Sequence, residues 1–428
     1  MSKQITIAIA GCGARGRYCY GRLAMEFPDM LKIVALADTD ATHLADTAAE
    51  FGVASDMCFN SVEEMLTRDK LADVMFICTQ DRQHVGHAIP AMRAGYHLLL
   101  EKPVSPNLDE CLEVERVARE TGREVCVCHV LRYTQFYGEI KSIIESGEIG
   151  DVVNIEACEG IGFWHQAHSY VRGNWRDSAS SSPMILAKSC HDMDILLWLS
   201  GHHCESVSSI GSLYEFKAER APQGSAMRCY DGCKVRDTCP YDAEKIYITG
   251  PIGIIADPKV GWPQTVVCDN PTVETLTEAL KTGPYGRCVY HCDNNVVDHQ
   301  SVNMRMDNNM TVSFTMSAFA AKVNRTIRIM GTMGEISGDM ENRHITVSPF
   351  IGEPREIELE TLPDDFTGHG GGDKRMLAEF AAVLSGGSKK DTSLTSISAS
   401  LESHYVALAA EKSRLNDGAR VVMSEFKK

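Results

Sequence analysis

Nowhere in the 428 residues does an apolar run approach bilayer-crossing length, which takes about 20 residues in a helix. Basic charge is also in short supply. Lys and Arg total 42 against 58 Asp and Glu, a formal net charge of −16. A surface this acidic repels nucleic acid and anionic membranes, so neither is expected as a partner. The opening MSKQITIAIAG carries one Lys and then runs straight into strand-like sequence. That is a poor secretory leader, and a cytoplasmic protein is expected. Internal repeats and low-complexity tracts are missing too. What is plentiful is cysteine, with 16 residues. Most stand singly in apolar segments (Cys78, Cys111, Cys126, Cys128), where they read as small core residues with reduced thiols.

The length exceeds what one ordinary core organises, which makes two domains the natural division. Residues 5–10, a short apolar run rich in β-branched residues, and the apolar runs 33–37, 74–78, 96–100 and 125–128 read as strands, separated by amphipathic stretches such as 107–120. Strands alternating with helices predict an α/β unit, a Rossmann-type doubly wound parallel sheet, over residues 1–130. Beyond residue 150 the texture changes. Longer strands are predicted over 151–157, 205–216, 296–306, 311–319, 325–330 and 355–362, with a hairpin turn at Asp307-Asn308-Asn309. Two helices, over 373–384 and 394–414, close the chain. Residues 131–428 thus predict an α+β unit with a large, open, mostly antiparallel sheet.

Gly11-Cys12-Gly13-Ala14-Arg15-Gly16 fits G-x-G-x-x-G directly between the first strand and a helix. The first glycine permits a tight turn, the second lets backbone approach a pyrophosphate, and the third allows close helix packing. Asp38 ends the second strand 22 residues beyond Gly16, where a carboxylate accepts hydrogen bonds from an adenosine ribose and repels a 2′-phosphate. NAD is therefore expected rather than NADP. Arg15 and Arg17 are the opposing hint, since they could serve a phosphate instead. The bland alternative is a structural glycine turn with a helix-capping Asp. Glu101-Lys102-Pro103 follows the fourth predicted strand, at the sheet end where ligands bind in this architecture. A Lys there can meet the nicotinamide ribose and a substrate hydroxyl, and desolvation would tune it for proton transfer.

With these features the sequence resembles the glucose-fructose oxidoreductase/inositol dehydrogenase/rhizopine catabolism (Gfo/Idh/MocA) oxidoreductases over nearly its whole length. The marks are the glycine turn, Thr79 with His84, the run from Ala94 to Pro103, Gly147-Glu148-Ile149-Gly150, and Lys188-Ser189-Cys190-His191-Asp192-Met193-Asp194. The resemblance implies NAD(P) held by the first domain, a sugar or cyclitol between domains, and a homodimer or homotetramer formed through the open sheet. It also implies a catalytic Lys working with an Asp and a His four residues apart on one helix. Lys102 and His191 match those positions. The Asp position holds Ala187, with Lys188 beside it. His191 is then the first choice of base. Lys188 either takes over the missing acid's positioning role or binds a substrate oxygen. Asp194, three residues on, shares the helix face and could orient His191.

Residues 163–176 bring together aromatics, His165, His168, Tyr170, Arg172 and Trp175 in an expected loop. Such a mixture suits sugar faces and hydroxyls, and a buried structural loop or oligomer contact fits equally. Gly368 to Asp373 is similar, with glycines for close approach, His369 as a candidate substrate ligand and Asp373 as an N-cap. Residues 217–295 read as a loop-rich insertion with Cys229-x3-Cys233-x5-Cys239 and Cys288-x3-Cys292. Thiolates from Cys229, Cys233, Cys239 and Cys292 could hold a structural zinc; buried free thiols are the alternative.

The expected activity is oxidation of a secondary hydroxyl on a sugar, cyclitol or glycoside by hydride transfer to NAD. Two alternatives stand: a redox-neutral oxidative glycosidase that retains its NAD, with His165, His168 or Tyr170 as second base, and a non-catalytic NAD-binding regulator.

Overall fold

A computed structural model describes residues 4–257, 261–363, 369–386 and 394–428. Six parallel strands form the first sheet: β1 (Ile5–Ala10), β2 (Leu31–Ala37), β3 (Cys58–Phe59), β4 (Val74–Ile77), β5 (His97–Leu100) and β6 (Val125–Val127). Their order is β3-β2-β1-β4-β5-β6. The chain reverses direction across the sheet between β1 and β4, and a crevice opens there at the strands' C-terminal ends. Every residue of β4 is buried, as are Leu98, Leu99 and Leu100 of β5. Burial on both faces is what near-continuous apolar strands predict. Each such Leu, Ile or Val contributes roughly 1.5–3 kcal/mol by leaving water.

The helices between strands begin on polar caps. Asp40 accepts from the amides of Thr42 (2.8 Å) and His43 (3.0 Å) to start Ala41–Phe51. Asn107 caps Leu108–Thr121 by accepting from Asp109 N at 2.9 Å. Each satisfies an amide that the helix itself leaves unpaired.

The second sheet has nine strands: β7 (Val152–Gly160), β8 (Cys204–Ser212), β9 (His299–Met306), β10 (Thr311–Ser317), β11 (Asn324–Gly331), β12 (Gly334–Asp339), β13 (His344–Pro349), β14 (Arg355–Glu358) and β15 (Val421–Val422). They run in the order β14-β13-β12-β11-β7-β10-β9-β8-β15. All pairs are antiparallel except β7 with β10. Buried residues alternate with exposed ones along β9, β10 and β11, so one face packs on helices Cys190–Ser200 and Ile397–Leu415 and the other is open. The expected hairpin is present, with Asn309 at φ 69°.

Several expectations are corrected. Residues 163–172 are helical rather than a loop, Phe163–His165 continuing as a π-helix over Gln166–Arg172. The region 217–295 is more than loops. It holds helix Val273–Thr282 and a core of its own around Tyr247, Leu276, Leu280 and Tyr285.

Candidate active site

The glycine turn lies in the crevice between β1 and β4. Gly11 has φ +94°, and a Cβ there would lie 2.7 Å from the Cys78 carbonyl oxygen. A Cβ on Gly16 would fall 1.8 Å from the Gly11 carbonyl oxygen. Both glycines are thus demanded by the protein's own backbone. Gly13 differs: with φ −78° it could carry a side chain, and a Cβ there would meet nothing within 4 Å. The open space beside Gly13 and Ala14 is where a pyrophosphate would come close to backbone, so the cradle fits a dinucleotide. Asp38 accepts from Cys12 N at 2.6 Å and Asp40 N at 2.8 Å, which fixes its carboxylate at the ribose end of the crevice.

The two arginines of the turn are occupied internally. Arg15 pairs with Glu101 and with Asp373 (both 2.5 Å), and Arg17 pairs with Glu50 (2.7 Å) and Asp46 (3.2 Å). Their charges are matched by carboxylates rather than left open for a phosphate. Asp373 is likewise no helix cap. It is fully buried, and its carboxylate also contacts His369 Nδ1 at 2.8 Å. Burial would raise its pKa, but Arg15 and then His369 outweigh this and hold it well below the carboxylate range. Gly368 lies outside the described residues.

Thr79 and His84 do structural work around the same crevice. His84 sits between two carbonyl oxygens, Pro103 O at 2.7 Å and Thr79 O at 3.0 Å. Thr79 Oγ1 contacts His87 Nδ1 at 3.1 Å. Together they bind the loop after β4 to the Glu101-Lys102-Pro103 loop.

The candidate groups for proton transfer, Lys102 and His191, lie where the loop after β5 reaches the chain just before helix Cys190–Ser200. Lys102 Nζ donates to the Ala187 carbonyl at 2.9 Å. At the position where the resemblance implied an acid side chain, this chain offers a backbone oxygen from the same residue. His191 is buried, and among the described residues its Nδ1 has no hydrogen-bond partner. Burial first, then the charge of Lys102, pushes its imidazole well below the usual histidine range. His191 is flanked by His129 and His369, with ring centres 5.9 and 5.6 Å away.

Lys188 enters a network that sequence reasoning missed. Its Nζ lies 2.9 Å from Glu159 Oε1, Arg325 contacts the same carboxylate, and Arg325 Nε reaches Asp192 Oδ1 at 2.7 Å. Glu159 and Arg325 are direct register partners on β7 and β11. The signal was readable: Glu159 is in phase with buried Ile155, and Arg325 with buried Ile327 and Ile329, so both charges point inward. Burial would raise the Glu159 pKa, but Arg325 and Lys188 overcome it and keep the carboxylate ionised. Asp192 is pushed up to about 7 by burial, with neighbouring Glu159 adding to the effect against Arg325.

The remaining substrate candidates divide. His165 is half-buried between Trp164, Trp262 and Tyr170, and burial, then Lys188, pushes its imidazole down. Tyr170 is buried, and burial followed by the Glu159 charge pushes its phenol up. These two border the charge network. The others are corrected. His168 bonds Tyr247 OH at 2.9 Å and stacks on Tyr285. Arg172 is buried and donates to the carbonyls of Arg287 and Tyr241 (both 2.7 Å). Both tie the helical segment to the insertion core. Trp175 donates to Asp81 at 3.1 Å, joining the two sheets' loops. Asp194 does not orient His191; it is held by Arg132 at 2.6 Å and His129 at 2.9 Å.

The expected zinc set is corrected as well. Cys229, Cys233 and Cys239 line one small cavity with Cys288, while Cys292 Sγ bonds the Cys288 carbonyl. Among the described residues no three His, Cys, Asp or Glu side chains are grouped to hold a metal ion.

Family models describe both halves of this architecture. Residues 5–129 match the oxidoreductase family's NAD-binding Rossmann fold, and residues 141–422 match the same family's C-terminal alpha/beta domain. The chain belongs to the Gfo/Idh/MocA oxidoreductase family. Within that family, the Bacillus subtilis protein YteT is 22% identical over 391 residues, 87% of this chain and 88% of that one. An inositol 2-dehydrogenase from Corynebacterium glutamicum is 24% identical over 208 residues, 48% of this chain and 57% of that one. Among solved structures, an oxidoreductase from Agrobacterium radiobacter in complex with NAD+, L-tartaric acid and magnesium superposes with TM-score 0.68 at 15% identity, covering 99% of both chains. The WlbA dehydrogenase from Bordetella pertussis, in complex with NADH and UDP-GlcNAcA, gives TM-score 0.68 at 16% identity, covering 98% of this chain and 99% of that one. The Gfo/Idh/MocA fold, and an NAD-binding oxidoreductase, follow.

Proposed function

We propose that this chain oxidises a secondary hydroxyl of a sugar, cyclitol or glycoside, using NAD. Residues 1–130 form the nucleotide unit in this reading, and 131–428 the substrate and oligomerisation unit. The observation that carries the reading is the Lys102 ammonium fixed on the Ala187 carbonyl, four residues before the buried His191, whose imidazole burial and that ammonium keep neutral. An imidazole whose protonated form is disfavoured stands ready as a base at neutral pH. Bound NAD supplies the hydride acceptor. Lys102 orients the hydroxyl and stabilises negative charge growing on its oxygen, while His191 removes the proton. Lys188, neutralised by Glu159, presents a donor to a second substrate oxygen beside His165 and Tyr170. The Asp38 carboxylate and the occupied arginines favour NAD over NADP. Relatives named for inositol oxidation support a cyclitol or sugar as substrate. The open sheet face, with Val153 and Ile210 exposed, is the surface proposed to meet a second copy, and reduced cytoplasm the proposed compartment.

The test incubates the protein with NAD+ and a panel of inositols, free sugars and chromogenic glycosides, following NADH and aglycone together. NADH from a polyol, lost in Lys102→Met, is the expected result. Aglycone release without net NADH would replace the reading with the redox-neutral glycosidase. Tight NAD binding with silence in both channels would point to a regulator.

A further inference from the structure

Oxidising an alcohol with NAD+ breaks two bonds at one carbinol. The C–H bond leaves with its electron pair as hydride, and the O–H bond gives up a proton. Each turnover therefore yields one ketone, one NADH and one proton that must reach water. The base proposed to receive that proton, His191, is itself buried, and its Nδ1 is unpartnered among the described residues.

Two imidazoles adjoin His191, and they lead in opposite directions. His129 lies inward: it is 1% exposed, bound to Asp194 and stacked on His404 at 5.3 Å. His404 closes that route, because its Nε2 accepts from Val104 N at 2.8 Å and its Nδ1 faces the Ser400 carbonyl at 3.1 Å. Both of its nitrogens are committed to backbone. His369 lies outward. Its ring centre is 5.6 Å from that of His191, and its side chain is 38% exposed. A separation of that size suits transfer through one bridging water. Nδ1 of His369 is fixed on Asp373, which leaves Nε2 to exchange protons. The neighbouring residue, Gly370, helps to line a cavity of about 200 Å³ whose other polar walls are Thr134, Gln135, Glu341 and Arg343.

We infer that His369 is the relay that carries the substrate's proton from His191 to solvent. The inference rests on the dehydrogenase reading above. His191 takes the hydroxyl proton and the imidazole pair passes a proton to Nε2 of His369. The Asp373 carboxylate balances the charge while it resides there, and water at the exposed ring edge collects it. Burial and the ammonium of Lys102 disfavour protonated His191, and the exposed ring of His369 gives the proton its way out.

The test uses the panel polyol from which the wild-type protein makes NADH. In His369→Ala, kcat is expected to fall about tenfold or more, the low end of general acid–base effects, with KM nearly unchanged. Added imidazole should restore kcat in proportion to its concentration, which a merely structural or substrate-binding side chain would not show. His369→Asn keeps a donor for Asp373 but cannot carry a proton, and should show the same loss. Full kcat in either variant, or a loss that imidazole does not relieve, overturns the relay and leaves the dehydrogenase reading standing. Absence of NADH from every polyol with the wild-type protein removes the parent reading and the relay with it.

Discussion

Lys188 and Glu159 form a buried ion pair, 2.9 Å from Nζ to Oε1, at the floor of the candidate site. The carboxylate is inaccessible to solvent, and Arg325 contacts its same oxygen. Removing one partner of such a group strands the other's charge in a medium that solvates it poorly, at a cost of about 3–5 kcal/mol. Glu159→Gln should therefore lower unfolding free energy by about that amount in urea titration. Adding Lys188→Met to it should return part of the loss. Equal stability of the single and double variants would show that the pair is not coupled.

Asp192 gives the pair's surroundings a pH signature. Its folded pKa is raised to about 7, above the ordinary value near 4. Between those two values the folded protein holds a proton that the unfolded chain has lost, so this carboxyl's contribution to stability declines as pH rises from about 4 to 7. Asp192→Asn removes the titration. The variant's melting temperature, relative to wild type, should thus be higher at pH 8 than at pH 5. A difference that does not change with pH would contradict the assignment.

Gly13 and Gly16 should respond oppositely to the same substitution. A Cβ on Gly16 collides with backbone at 1.8 Å, whereas one on Gly13 meets nothing. Gly16→Ala is expected to destabilise the fold. Gly13→Ala should keep the wild-type melting temperature and weaken NAD binding by about tenfold, the result of a methyl group held against the pyrophosphate. Calorimetric titration with NAD+ beside a melting curve separates the two.

Arg172→Met is expected to act on stability rather than on turnover. The guanidinium is buried and its donors end on the carbonyls of Arg287 and Tyr241, which lose those bonds in the variant at about 1–3 kcal/mol each. A lowered melting temperature with little change in KM is the expected outcome; a raised KM at unchanged stability would return Arg172 to the substrate site.

The sequence carried the first sheet almost entirely, because a glycine turn, buried apolar strands and polar caps are local signals. It carried β9 and β10 as well, through alternation and the Asp307-Asn308-Asn309 turn. It did not reveal β12 and β13, whose runs GEISGD and HITVSP mix glycine and polar residues and become strands through pairing with neighbours. In the site, Lys102 and His191 were legible from position along the chain. The partners of Lys188 were not, since Glu159 and Arg325 sit 166 positions apart and meet only through strand register. Arg172 and His168 misled for a related reason: polar groups suited to sugar hydroxyls are equally suited to backbone carbonyls and phenols, and the insertion supplied those first.

The Arg15–Asp373 contact joins positions 358 apart, and its meaning for the making of the protein is temporal. On a ribosome the glycine turn emerges long before the carboxylate that holds its arginine, 358 positions further along the chain. Two further anchors follow the same pattern, the Val104 amide on His404 and the Val127 amide on the Thr395 carbonyl. The first sheet must therefore wait, incompletely braced, until helices Gly372–Leu384 and Ile397–Leu415 are made. A nascent chain halted before residue 373 would carry the whole glycine motif without the carboxylate that holds Arg15, so the brace on the turn is acquired only once helix Gly372–Leu384 has been made.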